Sequence, residues 1–166
     1  HGGIPTFLNY PGLYPYPATI CVSINEELVH GIPGKRKLRV GDIVSVDCGT
    51  TLEGFVGDAA FTVGVGEISP LAQRLIETTE KALYEGINQM RPGNRTGDVS
   101  NAIQRYVEPR GFNVPREYTG HGVGRKMHEG PQVPNYGTAG RGHLLRVGMT
   151  VALEPMLLAG TYKTRV

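Results

Sequence analysis

Residues 41–64 read GDIVSVDCGTTLEGFVGDAAFTVG, and this stretch decides how the rest of the chain is to be understood. Two runs rich in β-branched residues, Ile43–Thr50 and Phe55–Val63, flank a short polar turn over Thr51–Gly54, which is the pattern of a β-hairpin. With the turn centred between Leu52 and Glu53, antiparallel pairing sets Asp47 opposite Asp58. Like charges directly across a ladder repel, and neither run carries a Lys or Arg to neutralise them, so a divalent cation between the two is the simplest explanation. The competing register, shifted by one residue, leaves one Asp in solvent.

Working outward, Leu38–Asp47 (LRVGDIVSVD) returns as Leu145–Glu154 (LRVGMTVALE), and each copy ends on a carboxylate. Each has a turn-forming Gly followed by an alternating strand. One face carries Ile43, Ser45 and Asp47, matched by Thr150, Ala152 and Glu154. The other carries Val44 and Val46, matched by Val151 and Leu153, and is expected to be buried against helices. Two related halves would bring Asp47 and Glu154 towards one axis. The alternative is that LRVG is only a common way to begin a strand.

The chain has 166 residues, enough for one domain that buries about 70% of its unfolded surface without a disulfide staple. A formal charge of +2 argues against wholesale nucleic-acid binding, DNA included. Cys21 and Cys48 sit in apolar, strand-like contexts that suit reduced thiols in a cytoplasmic protein. No apolar run approaches the roughly 18 residues of a membrane span, and the start lacks the plan of a signal peptide. The chain begins on His and stops at Thr-Arg-Val, which reads as residues 1–166 forming a single catalytic domain truncated at both ends.

The proline-rich start, His1–Thr19, is expected to be a fixed extended loop that either walls an apolar pocket with Phe7, Tyr14 and Tyr16 or serves as a surface linker or polyproline ligand. A strand over Ile20–Ile24 follows, then His30 at the rim of an element ahead of Gly-Ile-Pro-Gly. Lys35, Arg36, Lys37 and Arg39 form a basic run, usually a solvated turn. Ser69-Pro70 starts a helix whose stripe is Leu71, Leu75, Ala82, Leu83, Ile87 and Met90. A second helix from about Gly97 turns Val99, Ile103, Tyr106 and Val107 inward and ends at Gly111. Both stripes read as free of polar residues. In Tyr118–Gln132, three glycines frame His121, and His128 follows in the same loop; the spacing excludes a helical i, i+4 zinc pair, and a ligand and a polariser are candidate roles for the two. Pro131, Pro134 and 137–142 continue as loop, Pro155 ends the second repeat strand at Glu154, and Tyr162–Val166 begins another strand.

The pieces CVSINEELVHGIPG, GDIVSVDCGTTLEGFVGDAAFTV, REYTGHGVGRKMHEGPQV and MTVALEPM, in this order and spacing, resemble the type I methionine aminopeptidases. The resemblance implies an α+β pita-bread fold with two pseudo-symmetric halves, an antiparallel sheet covered by helices. It implies removal of the initiator methionine of nascent peptides at two divalent cations (Co, Mn, Fe or Zn) held by Asp47, Asp58, His121 and Glu154. By the same resemblance His30 and His128 contact substrate and steady the transition state, Glu154 doubles as proton shuttle, and Cys21, Tyr16 and Met127 form the pocket for the methionine side chain. The family often has an aromatic residue at Met127, less proline before Cys21, and a fifth ligand, a glutamate, on a strand expected beyond Val166. Initiator methionine is removed as the chain emerges, so the basic run at Lys35–Arg39 is a candidate contact for the ribosome. Proline-specific peptidases of the same fold, and metal-free pita-bread binding proteins, are the alternatives.

Overall fold

The computed structural model describes residues 2–165; His1 and Val166, the ends of two segments discussed above, lie outside them. The chain divides into two compact units, His1–Gln73 with Val123–Met127 and Arg74–Gly122 with His128–Val166. Among the described residues no helix is long and apolar enough to cross a membrane.

The first unit is a four-stranded antiparallel sheet built around β3 (Ile43–Leu52). β2 (Cys21–Ile24) and β1 (Ile4–Pro5) pair with β3, and so does β4 (Phe55–Gly64). The proline-rich start is therefore not loop throughout: Ile4 and Pro5 pair with Thr51 and Thr50. A proline is tolerated there because the strand is short and at an edge. Val44, on the apolar face of β3, is buried, whereas its partner Val63 and the nearby Phe61 and Phe55 on β4 are exposed.

The second unit contains α1 (Pro70–Gln89, whose first residues belong to the first unit), α2 (Thr96–Val107) and a 3-10 turn (Glu108–Arg110). It also holds a three-stranded sheet in the order β6 (Glu129–Pro134), β5 (Thr119–Gly122), β7 (Val151–Ala152). Ser69 caps α1 as expected, its Oγ accepting the Ala72 N–H at 3.1 Å. The buried line of α1 is not the large apolar stripe, however. Of that stripe Ala82 is buried and Leu75 and Met90 pack against the core, but Leu71 and Ile87 are exposed, and Thr78 and Gly86 are buried without having been expected. Gly86 lets α2 side chains come close, since a Cβ there would lie 3.0 Å from Ile103 Cδ1.

The stripes are not free of polar groups either, since Thr78, Thr96 and Ser100 are buried. The Ser100 hydroxyl is satisfied within its own helix, donating to the Thr96 carbonyl at 2.9 Å. Val99, Ile103, Val107 and Val133 share one core, so α2 covers this sheet through β6. Gly111, at φ 82°, closes the 3-10 turn where the sequence places the helix stop.

The two sequence copies share a local structure. Asp42 N–H reaches the Arg39 carbonyl at 3.1 Å and Met149 N–H the Arg146 carbonyl at 3.3 Å, with Gly41 at φ 98° and Gly148 at φ 88°. Each is a β-turn whose third residue needs the left-handed region, hence Gly. Beyond the turn they part. β3 runs ten residues, but β7 is only Val151–Ala152, so the expected strand from Thr150 to Glu154 is formed only at its middle. No strand forms over residues 162–165.

Candidate metal ligands and methionine pocket

In the first unit, the β3–β4 register differs from the expected one. Leu52 pairs with Phe55, so the turn is Glu53-Gly54 alone, both at positive φ (50° and 79°), the two-residue hairpin that fits the twist of its strands. Asp47 consequently pairs with Ala60, and Asp58 with Gly49, not with Asp47. The correction shifts the pairing by two places and so preserves the face. The carboxylates are diagonal neighbours on the same side, a relation with a typical separation of about 7–8 Å. Both residues are half-buried, and Asp58 Oδ2 is withdrawn from solvent.

On the other side of β3, Asp47 pairs with Cys21. Phe7, Cys21 and Met127 form a buried apolar cluster bordered by Tyr10, Tyr16 and Val56. Phe7 meets Tyr16 edge to face at 6.5 Å, and Gly49 leaves room for Phe7, whose ring would stand 2.8 Å from any Cβ there. The Tyr16 hydroxyl lies 2.9 Å from the Gly31 carbonyl and 3.2 Å from that of Ile20. Burial pushes the Tyr16 phenol well above its ordinary range, with the adjacent Cys21 adding to the rise. Burial likewise raises the Cys21 thiol, against a lowering by its hydrogen bond with Tyr16. Cys21 and Cys48 are both free, Cys48 only half-buried. Tyr14, expected in the pocket wall, is instead exposed. Tyr10 and Val56 take part without having been singled out; Tyr10 belongs to the aromatic run of the start, and Val56 is the residue two before Asp58.

His30 is exposed and sits at φ 59°, a left-handed backbone uncommon for a residue with a side chain. The next residue pins it beside β2. The Gly31 carbonyl accepts the Val22 N–H at 2.8 Å, and the Gly31 N–H donates to Ser23 Oγ at 3.2 Å. In the basic run, Arg36 pairs with Glu27 at 3.5 Å across an exposed surface.

Tyr118–Gln132 is not one loop. Within the second unit its two ends, Thr119–Gly122 and Glu129–Gln132, pair as β5 and β6, and Pro131 and Pro134 lie in β6. His121 is buried on the central strand, between Gln132 of β6 and Ala152 of β7. Its flanking glycines answer to close backbone approach: a Cβ on Gly120 would lie 2.5 Å from the Ala152 carbonyl oxygen, and one on Gly122 2.2 Å from that of Gly130. A register shift between His121 and Gly122, a device that re-aims side chains, carries the pairing from Gln132 to Glu129. His128, just ahead of β6, places its ring 4.3 Å from that of His121 at an angle of 60°.

The bonding of His121 fixes its chemistry. Nδ1 lies 2.9 Å from the Gly122 carbonyl, which can only accept, a contact that favours the tautomer with the proton on Nδ1. Nε2 then faces Glu154 Oε1 at 2.9 Å. A lone pair and a carboxylate oxygen at that distance are reconciled by a second proton or by a shared cation. An imidazole oriented through Nδ1 by a backbone carbonyl is the usual state of a metal-ligating histidine, so these donors fit a divalent metal.

A profile of metallopeptidase family M24 matches residues 7–165. The chain belongs to metallopeptidase family M24. Among M24 relatives, a methionine aminopeptidase of Clostridium perfringens is 50% identical over 165 residues, 99% of this chain and 65% of that protein. The solved methionine aminopeptidase of Rickettsia prowazekii superposes with a TM-score of 0.94 at 44% identity, covering 98% of this chain and 64% of that one. The enzyme from Thermotoga maritima gives 0.93 at 50% identity, covering 99% and 65%. The chain thus has the pita-bread fold of M24 and spans about 65% of the length of the relatives it matches. Membership in M24 implies use of a divalent metal.

Proposed function

We propose that this chain carries the metal centre and methionine pocket of a methionine aminopeptidase, acting in the cytoplasm on the initiator methionine of nascent peptides. The observation that carries this reading is the His121–Glu154 pair, whose Nε2 and carboxylate oxygen lie 2.9 Å apart. Asp47, Asp58, His121 and Glu154 would hold two divalent cations, for which oxygens with one imidazole suit Co, Mn, Fe or Zn. When bound, such ions acidify a water and polarise the scissile carbonyl.

The remaining work falls to side chains. Cys21, Tyr16 and Met127, with Phe7, take the methionine side chain, where soft sulfur and aromatic edges suit a thioether. The His128 imidazole donates to the carbonyl oxygen of the bond being cut. His30 hydrogen-bonds the amide nitrogen, and Glu154 carries the proton from the attacking water to that nitrogen.

The test is methionine release from Met-Ala-Ser by the complete protein, extended to the length of its relatives. Activity should vanish on exhaustive chelation and return with added Co(II) or Mn(II), and Asp58→Asn should lower metal content and rate together. A normal rate after chelation, or in Asp58→Asn with full metal content, refutes the proposal. The exposed run Lys35–Arg39 is proposed to lean on ribosomal RNA. Reversing the charges of Lys35, Arg36 and Lys37 should weaken salt-dependent co-sedimentation with ribosomes and spare peptide cleavage; equal co-sedimentation refutes it.

A further inference from the structure

The sheet does not hold Glu154. β7 ends at Ala152, and its ladder with β5 pairs only Ala152 with His121 and Val151 with Gly122. Pro155, which follows, has no N–H to extend it. A side chain supplies the anchor instead: Asn135 Nδ2 donates to the main-chain carbonyl of Glu154 at 2.6 Å. Asn135 lies one residue beyond β6 and is wholly buried, two residues after Val133, itself 1% exposed. Its Oδ1 is also buried and has no hydrogen-bond partner among the described residues, so the bond through Nδ2 alone sets the orientation of the amide. Asn has two side-chain torsions, and at full burial neither is free to turn.

We infer that Asn135 is a positioning residue, which sets the Glu154 carboxylate against His121 by fixing the main-chain carbonyl of Glu154. Turning that carbonyl swings the plane from which the Glu154 side chain departs, and the 2.9 Å contact with Nε2 is lost. The consequence for metal affinity rests on the reading of His121 and Glu154 as metal donors; the positioning itself does not. Partners that orient ligands in this way typically change metal affinity about 10–100-fold when removed.

The experiment compares Asn135→Leu, similar in volume but without a donor, with Val133→Ala, which opens a cavity in the same core and leaves the Glu154 carbonyl alone. Two quantities are read well below the melting temperature: the ring-nitrogen NMR signals of His121 in metal-free protein, assigned by their loss in His121→Gln, and the affinity for Co(II). Asn135→Leu should move the His121 signals and weaken Co(II) binding about 10–100-fold, while Val133→Ala lowers the melting temperature and changes neither. Unmoved His121 signals in Asn135→Leu, or an equal movement in Val133→Ala, overturn the inference. If Asn135→Leu moves the signals but the parent binds no Co(II), the positioning stands and the metal reading falls. Should Asn135→Leu not fold, Asn135→Asp keeps the shape, turns an acceptor on the carbonyl, and must move the same signals.

Discussion

The segments Leu38–Asp47 and Leu145–Glu154 start with the same turn and finish under different restraints. In the first, a ten-residue strand with partners on both sides carries Asp47 to its place, and the pairing with Cys21 and Ala60 determines which way the carboxylate faces. In the second, the ladder is two residues long and stops short of Glu154, where an asparagine amide takes over. A repeated pattern therefore encodes the turn and the carboxylate, while the neighbours determine how that carboxylate is held. A carboxylate fixed by many weak bonds tolerates the loss of one. A carboxylate whose main chain hangs on one amide hydrogen bond beyond a two-residue ladder is more sensitive to such a loss.

The strongest way to break the comparison is at the glycines that let strands approach. Gly120→Ala puts a Cβ 2.5 Å from the Ala152 carbonyl oxygen and must push β7 off β5, whereas Gly57→Ala in β4 meets only the Thr50 carbonyl oxygen at 3.9 Å. Thermal unfolding should show about 2–3 kcal/mol lost in Gly120→Ala and little change in Gly57→Ala. Equal losses would mean that both sheets are under the same constraint.

A middle-sized effect separates the two turns. Gly41→Ala and Gly148→Ala each force a side chain into the left-handed region and should each cost about 1–2 kcal/mol. Only Gly148→Ala should also weaken Co(II) binding, because two ladder pairs cannot correct a displaced turn; equal affinity in the two variants removes the distinction. The smallest effect belongs to Asp42, which Met149 replaces in the second copy. Hydrogen bonds from Asn25 (2.8 Å) and the Arg39 N–H (2.9 Å) hold the Asp42 carboxyl below its ordinary range. A lowered folded pKa gives stability that is present above the ordinary aspartate value near 3.9 and disappears as pH falls through the lower folded value. The melting temperature of Asp42→Asn should therefore fall less steeply than that of the parent below about pH 4; parallel curves would exclude this contribution.

Much of this was legible in the residues. The β-branched runs around Glu53-Gly54, the Ser69-Pro70 helix start and the Gly111 stop are local signals, and each appears where the sequence places it. The face shared by Asp47 and Asp58 was legible for the same reason, since a pairing error of two places keeps every side chain on its side of the sheet. The register itself was not, because moving a turn by one residue costs the pattern nothing while moving every partner by two. Long-range features left weaker traces. Gly86 is small because Ile103 and Val99 of α2 stand against it, a fact about another helix. The shift at His121 and Gly122 depends on β6, and Asn135 in VPNYG reads as ordinary loop chemistry until its partner, 19 residues away, is known.

The two-residue turn at Glu53-Gly54 also bears on the order of folding. Asp47 and Asp58 are brought to one face by closing a hairpin, an event of microseconds that needs nothing from the rest of the chain. His121 and Glu154 are separated by about three times as much sequence, which by loop-closure entropy alone costs about 1 kcal/mol more, and their contact waits on β5, β7 and the buried amide between them. On a chain being synthesised from its N-terminus, the two aspartates are thus expected to share their face of the hairpin while the histidine and its glutamate are still unmade.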